Sequence, residues 1–201
     1  TCTGDPARRM GNEYLFQTLA QQSIETLNNY QVKKIVTICP HCFNTMKNEY
    51  PQFGGTYEVL HYSQFVDGLI GEGKIKPIKM IESNVAYHDS CYLGRHNGVY
   101  DEPRNVVKSV PGLNLIEMEP HCRGQGFCCG AGGGHMWLEE SGGTRVNHTR
   151  TDHFLGTGAD TVAVSCPFCL QMLTEGIQAK GLEGKKQALD VLEILADSLE
   201  E

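Results

Sequence analysis

The sequence predicts an α/β protein made of two related halves, each a small, mainly parallel sheet flanked by helices. Three observations predict it. Short β-branched apolar runs alternate with amphipathic segments of ten to twenty residues, the pattern of strand–helix units. Two of those runs, "IVTICPHC" (35–42) and "VAVSCPFC" (162–169), end alike in Cys-Pro-aromatic-Cys. The cysteines also recur at one spacing: 36 residues lie between Cys2 and Cys39, between Cys91 and Cys128, and between Cys129 and Cys166. "CTG" (2–4) lies over "CCG" (128–130), Met10 then falls on Met136, and "FVDGL" (65–69) matches "LADSL" (195–199). The chain therefore carries an internal duplication with a period near 127 residues. The boundary is expected near residue 80, giving a first half over 1–80 and a second over 81–201. Cys91 belongs to the second half, and its counterpart in the first would precede residue 1.

In chain order, a helix is expected over 10–29 and a strand over 33–38 on "IVTI". The first Cys-Pro-His-Cys opens a helix over 41–50, followed by a strand over 56–61 and a helix over 62–72. "GEGKIKPIK" (71–79) reads as a surface link. The second half continues with a strand over 84–88, a helix over 102–109 and a strand over 113–118. A long helix over 135–155 follows the glycine run, then a strand over 160–165 and a helix over 168–179. "KGLEGKK" (180–186) is a second loop, before a strand over 188–191 and a helix over 192–200.

Composition narrows the function. The 201 residues suffice for one large domain or two small ones, and 40% hydrophobic with 20% charged residues describes a globular protein. No window approaches the ~18 apolar residues of a membrane helix. The N-terminus "TCTGDPARRM" has no apolar signal region, and its lack of an initial methionine suggests a fragment or processed product. A net charge of −7 argues against nucleic acid, whose phosphates need a clustered basic surface. Nine cysteines, an odd number that includes C-x-x-C pairs, fit metal or redox chemistry in a reducing compartment better than a disulfide framework.

The cysteines fall where ligands gather in such folds, at the carboxyl ends of strands. Cys39, Cys42, Cys166 and Cys169 sit where a predicted strand gives way to a helix, and Cys91 follows another strand. Helix N-termini there stabilise thiolates. The second half supplies five sulfurs, from Cys91, Cys128, Cys129, Cys166 and Cys169, one more than a tetrahedral zinc or an ordinary cubane takes. An extra thiolate beside another suggests a multi-iron centre in which one sulfur bridges two irons. The glycines at 130 and 132–134 would let the backbone pack against such a centre and donate N–H groups to its sulfide.

C-x36-C-C-G-x36-C-P-x-C resembles the cysteine-rich CCG signature found in a heterodisulfide reductase component, the glycolate oxidase iron–sulfur subunit and the lactate-utilisation iron–sulfur proteins. "CTGDPARRMGNEYLFQTLAQQSIETLN", "CPHCFNTMKNEYP", "YHDSCYLGRHNGVYDEPR" and "GFCCGAGGGHMWLEE" resemble one branch more closely. That branch comprises membrane-associated iron–sulfur oxidoreductases that pass electrons from electron-transfer flavoprotein to the quinone pool. The resemblance covers essentially the whole chain, which is similar to their C-terminal tandem of CCG domains. It implies an iron–sulfur oxidoreductase module, a domain or subunit that is not complete alone. The remaining membrane and ferredoxin-like domains would be its neighbours, a flavoprotein its electron donor, and the cytoplasmic face of the membrane its location.

The resemblance further implies that Cys91, Cys128, Cys129, Cys166 and Cys169 hold a non-cubane [4Fe–4S] cluster, and that Cys2, Cys39 and Cys42 are ligands in the first half. Thr3 stands where the second cysteine of the first CCG would be, which leaves three ligands and points to a cubane or a damaged site there. Two other functions compete. One is disulfide reduction of the heterodisulfide-reductase kind. The other is a non-catalytic scaffold stabilised by zinc.

Several other residues carry weaker signals. Cys122 fits no motif position and reads as a free thiol. His41 and His88 could tune or ligate a cluster, but His41 aligns with Phe168, a ring without nitrogen. His135 could donate to a sulfide or face water, and Trp137 reads as packing. Arg8, Arg9 and Arg95 could balance cluster charge or simply lie on the surface. "GAGGG" lacks the G-x-G-x-x-G spacing and follows cysteines, which excludes dinucleotide binding.

Overall fold

A computed structural model describes residues 2–138 and 142–199. The first half begins with a short helix, α1 (Asp5–Arg9), and a long one, α2 (Glu13–Asn29). The predicted single helix over 10–29 is thus divided, because Gly11 turns at φ +85° and the Asn12 side chain caps α2 by accepting from the Leu15 N–H at 3.1 Å. Strand β1 (Lys34–Thr37) leads into α3 (Pro40–Asn44), a π turn (Thr45–Glu49) and a 3₁₀ turn (Tyr50–Phe53). Pro51, which has no N–H to continue a helix, lies in that last turn. Strand β2 (Glu58–His61) and helix α4 (Tyr62–Gly71) complete this half.

The second half contains β3 (Ser83–Tyr87), α5 (Asp101–Ser109), β4 (Leu113–Ile116), α6 (Val146–Gly156), β5 (Thr161–Val164), α7 (Pro167–Ala179), β6 (Gln187–Asp190) and α8 (Val191–Ala196). The expected helix over 135–155 is only partly found. Gly132–Trp137 forms a 3₁₀ turn in which Gly133 and Gly134 adopt left-handed φ values of 66° and 83°, and α6 starts at Val146. Residues 139–141 of that expectation, and residue 200 of the last predicted helix, lie outside the described residues.

All strand pairs are parallel. β1 pairs with β2, and the larger sheet runs β4-β3-β5-β6. Every residue of the central strand β5 is buried, because helices cover both faces of the sheet. On one face Phe154 of α6 and Met172, Leu173 and Ile177 of α7 pack against Val162 and Val164. On the other, Val106 and Val107 of α5 and Ile194 and Leu195 of α8 pack against Val85, Tyr87 and Ala163. Tyr62 and Val66 of α4 belong to this second cluster, so a helix of the first half completes the core of the second half. Tyr62 also donates to Asp190 Oδ1 at 2.7 Å. In return Leu93 and Val99 pack with Phe43 and Val59.

Candidate metal centre

Each half presents a Cys-Pro-aromatic-Cys turn at the end of a strand. Cys39 and Cys166 occupy the N-cap positions of α3 and α7, and proline follows as the first helical residue, where a missing N–H costs nothing. The carbonyls of Cys39 and Cys166 accept from Phe43 and Leu170 at 2.8 and 2.9 Å, which brings Cys42 and Cys169 back into the first helical turn beside them.

The second half gathers all five expected cysteines. The sulfurs of Cys129 and Cys169 lie within 4.8 Å of each other, Cys169 also interacts with Cys166 and Cys129 with Cys128, and Cys91 lies in the fields of Cys129 and Cys166. Cys129, Cys166 and Cys169 are buried, and Cys91 and Cys128 are half-buried. All are free thiols. A ring nitrogen of His88 and the sulfurs of Cys129 and Cys169 lie within 4.8 Å of one another. The protons are shared unequally. Hydrogen bonds from Cys128 and Cys169 hold the Cys129 thiol well below its usual range, and those bonds push Cys128 and Cys169 up. Burial would raise Cys166, yet bonds from Cys169 and His41 lower it to about 5. Burial, with the charges of Cys129 and Cys166, pushes Cys91 up to about 11.

The first half repeats this geometry with fewer sulfurs. Gly4 N–H donates to Cys2 Sγ at 3.5 Å as Gly130 N–H donates to Cys128 Sγ at 3.3 Å. Thr3 Oγ1 donates to Cys42 Sγ at 3.5 Å, where the second half has Cys129 against Cys169. Cys2 is therefore the counterpart of Cys128, and Thr3 that of Cys129, as the overlay of CTG on CCG has it. The equal counts of 36 residues from Cys2 and from Cys129 do not mark equivalent positions. The hydrogen bond with Cys39 is the chief cause that lowers Cys42 to about 6.

The two sites face one another. His41 Nδ1 lies 3.9 Å from Cys39 Sγ, and His41 also bonds Cys166 of the other half. Its ring packs on Tyr92 and Phe168 with centroid separations of 4.4 and 4.8 Å. Gly134 serves this junction, because a Cβ there would come within 2.8 Å of Met10; a Cβ on Gly130 would come within 3.1 Å of Met172 of the same half. Only for Gly130 is the expected donation to sulfur seen.

Cys122, outside the motifs, is buried and bonds Glu119, and burial with that carboxylate raises it to about 11. Arg8 and Arg9 both pair with Glu49, and Arg9 also with Asp5. Arg95 donates to the Gly126 carbonyl at 2.6 Å, close before the paired cysteines. His135 is exposed, and Trp137, 55% exposed, meets Phe168 edge to face.

The sequence profile of a family described as "Cysteine-rich domain" (CCG) matches residues 1–47 and 85–174. The chain belongs to the CCG family. Among its relatives is the EtfAB:quinone oxidoreductase of Syntrophomonas wolfei, 50% identical over 99% of this chain and 29% of its own length. The probable iron-sulfur-binding oxidoreductase FadF of Bacillus subtilis is 47% identical over 98% of this chain and 28% of its own. The dihydromethanophenazine:CoB–CoM heterodisulfide reductase of Methanosarcina barkeri contributes a polypeptide 34% identical over 98% of this chain and 49% of its own length. The chain thus spans under a third of the first two relatives and about half of the third.

The donor set of the second CCG site fits an iron–sulfur group. Five thiols converge, and beside them His88 Nε2 and Ser90 Oγ are buried without a hydrogen-bond partner. Among the described residues no helix is long and apolar enough to cross a membrane.

Proposed function

We propose that this chain is the iron–sulfur electron-transfer module of an oxidoreductase, carrying a non-cubane [4Fe–4S] cluster on Cys91, Cys128, Cys129, Cys166 and Cys169. The convergence of these five free thiols is the observation that carries the reading. Iron held by thiolates takes up and releases electrons singly. The chain's own contribution is to hold the sulfurs in a buried, water-poor site and to set the charge around them. Cys2, Cys39 and Cys42 form a smaller second site, where Thr3 replaces one sulfur. The repeat supports two units, residues 1–80 and 81–201, with two parallel strands in the first and four in the second.

Relatives named for electron-transfer flavoprotein and quinone support a flavoprotein donor and a quinone acceptor. The module would then work at the cytoplasmic face of a membrane, beside the membrane and ferredoxin-like domains of the full-length protein. Anaerobic reconstitution followed by iron, sulfide and zinc analysis tests the cofactor. Iron and sulfide in comparable amounts are expected; zinc alone would leave a scaffold. Anaerobic mixing with reduced electron-transfer flavoprotein tests the donor, by reduction of the visible absorption. A second reading, reduction of a disulfide, is favoured by the two sites facing each other across His41. Turnover of a mixed disulfide with a reduced viologen would separate it from simple electron relay.

A further inference from the structure

His88 follows β3, lies at the five-cysteine site of the second half and is 1% exposed. Its Nδ1 is 2.9 Å from the Nε of Arg150, which is itself fully buried on α6. Of the other two guanidinium nitrogens of Arg150, Nη1 donates to the His121 carbonyl at 3.0 Å and Nη2 has no partner. A guanidinium has donors only, so the nitrogen that faces it must offer a lone pair. The ring proton of a neutral His88 therefore sits on Nε2, which is buried without a partner of its own. With Nδ1 taken, Nε2 is the nitrogen left for the sulfurs of Cys129 and Cys169.

This arrangement is the reverse of a metal-bound histidine. A ligating imidazole gives its lone pair to the metal and its other N–H to a carbonyl or carboxylate. Arg150 offers no acceptor, so ligation through Nε2 would strip the ring of its last proton. We propose that Arg150 fixes His88 as a hydrogen-bond donor to the Cys129–Cys169 edge of the metal centre, and that His88 tunes the potential of that centre without ligating it. The proposal rests on the iron–sulfur function given above. A hydrogen bond to sulfur withdraws electron density and favours the reduced centre, so its loss moves the potential negative. Arg150 is a positioning residue and acts through His88.

The test has an arm that needs no metal. ¹⁵N chemical shifts of His88 in the metal-free protein should show Nε2 protonated and Nδ1 bare; the opposite tautomer overturns the proposal whatever metal the protein takes. In the iron-loaded protein, His88→Leu should keep its iron and shift the midpoint potential to more negative values. His88→Gln, whose amide can still donate, should recover part of the shift. Electron–nuclear double resonance should show an exchangeable proton near the centre, lost in His88→Leu, and no directly bound histidine nitrogen. A bound nitrogen, or a potential unchanged in His88→Leu at equal iron content, defeats the proposal. Iron and zinc content of the unaltered protein reads the underlying function separately.

Discussion

His41 and Phe168 hold the same place in the two Cys-Pro-aromatic-Cys turns, and their rings meet with centroids 4.8 Å apart. One ring carries nitrogen and the other does not; His41 Nδ1 lies 3.9 Å from Cys39 Sγ, and the same ring interacts with Cys166 of the other half. Burial alone would lower the pKa of His41, but its bond to Cys166 and the charge of that thiolate raise it. The same bond helps hold Cys166 at about 5. In His41→Phe that donor is gone. A hydrogen bond to a charged group contributes about 1.5–3 kcal/mol, or roughly 1–2 pH units. Thiolate absorbance of the metal-free protein, titrated from pH 4 upwards, should therefore show the Cys166 step, identified by its loss in Cys166→Ser, displaced upwards by about that amount. An unmoved step would mean that Cys169 alone sets Cys166.

The strands were legible because each is a short apolar run, and all six lie within one or two residues of their expected bounds. The two Cys-Pro-aromatic-Cys turns were legible because that motif occurs twice, whereas Cys91 and Cys129 have no cysteine counterpart in the first half. What the sequence did not reveal is non-local. Arg150 lies 62 residues from His88, and no local pattern links them. The packing of α4 into the second core is likewise invisible in the amphipathic pattern of Tyr62–Gly71, which says that a face is buried but not against what. The helix expected from residue 135 fails there because the backbone turns extended at Leu138 and left-handed at Gly143, both inside the expected span.

His61 predicts an acid limb of stability. It is fully buried, its Nδ1 accepts from the Ser63 N–H at 3.3 Å to cap α4, and burial lowers its pKa from 6.5 to about 4. The unfolded chain therefore binds a proton that the folded chain refuses between these values, so stability is complete above about pH 6.5 and falls as pH drops towards 4. The size is on the order of 3 kcal/mol at most. Asparagine also caps helices well without titrating. His61→Asn should flatten this limb in chemical denaturation measured from pH 7 to pH 4; an equal slope in both proteins would remove His61 as its cause.

Arg104 locks the segment that leads to the paired cysteines. It is 1% exposed, and its guanidinium bonds Asp89 through two nitrogens at 2.8 Å and Glu117 at 2.7 and 2.8 Å. Asp89 in turn accepts from the Arg123 N–H at 2.6 Å. Arg104→Met strands two carboxylates and should cost about 3–5 kcal/mol, roughly 10 °C in melting temperature for a chain of this size. Lysine cannot supply the planar fork, so Arg104→Lys should recover little. Recovery by lysine to near the original melting temperature would show that charge alone, not the fork, matters.

Cys129 decides what kind of centre the second half holds. Its thiol is held well below the usual range by its interactions with Cys128 and Cys169, which favours the thiolate that any metal ligand must be. The first half supplies a natural comparison, because Thr3 already occupies the equivalent place against Cys42. After Cys129→Ser, four thiolates remain on Cys91, Cys128, Cys166 and Cys169, enough for a cubane. The variant should keep its iron while its electron paramagnetic resonance spectrum and midpoint potential change, and Cys166→Ser should lose much more iron than Cys39→Ser. The Gly130 N–H bond to Cys128 Sγ survives the substitution, so a spectral change belongs to the missing sulfur. If Cys129 were merely a buried packing residue, serine would lower stability and leave the spectrum untouched. An unchanged spectrum and potential at full iron content would return the paired cysteines to a turn with one ligand in it.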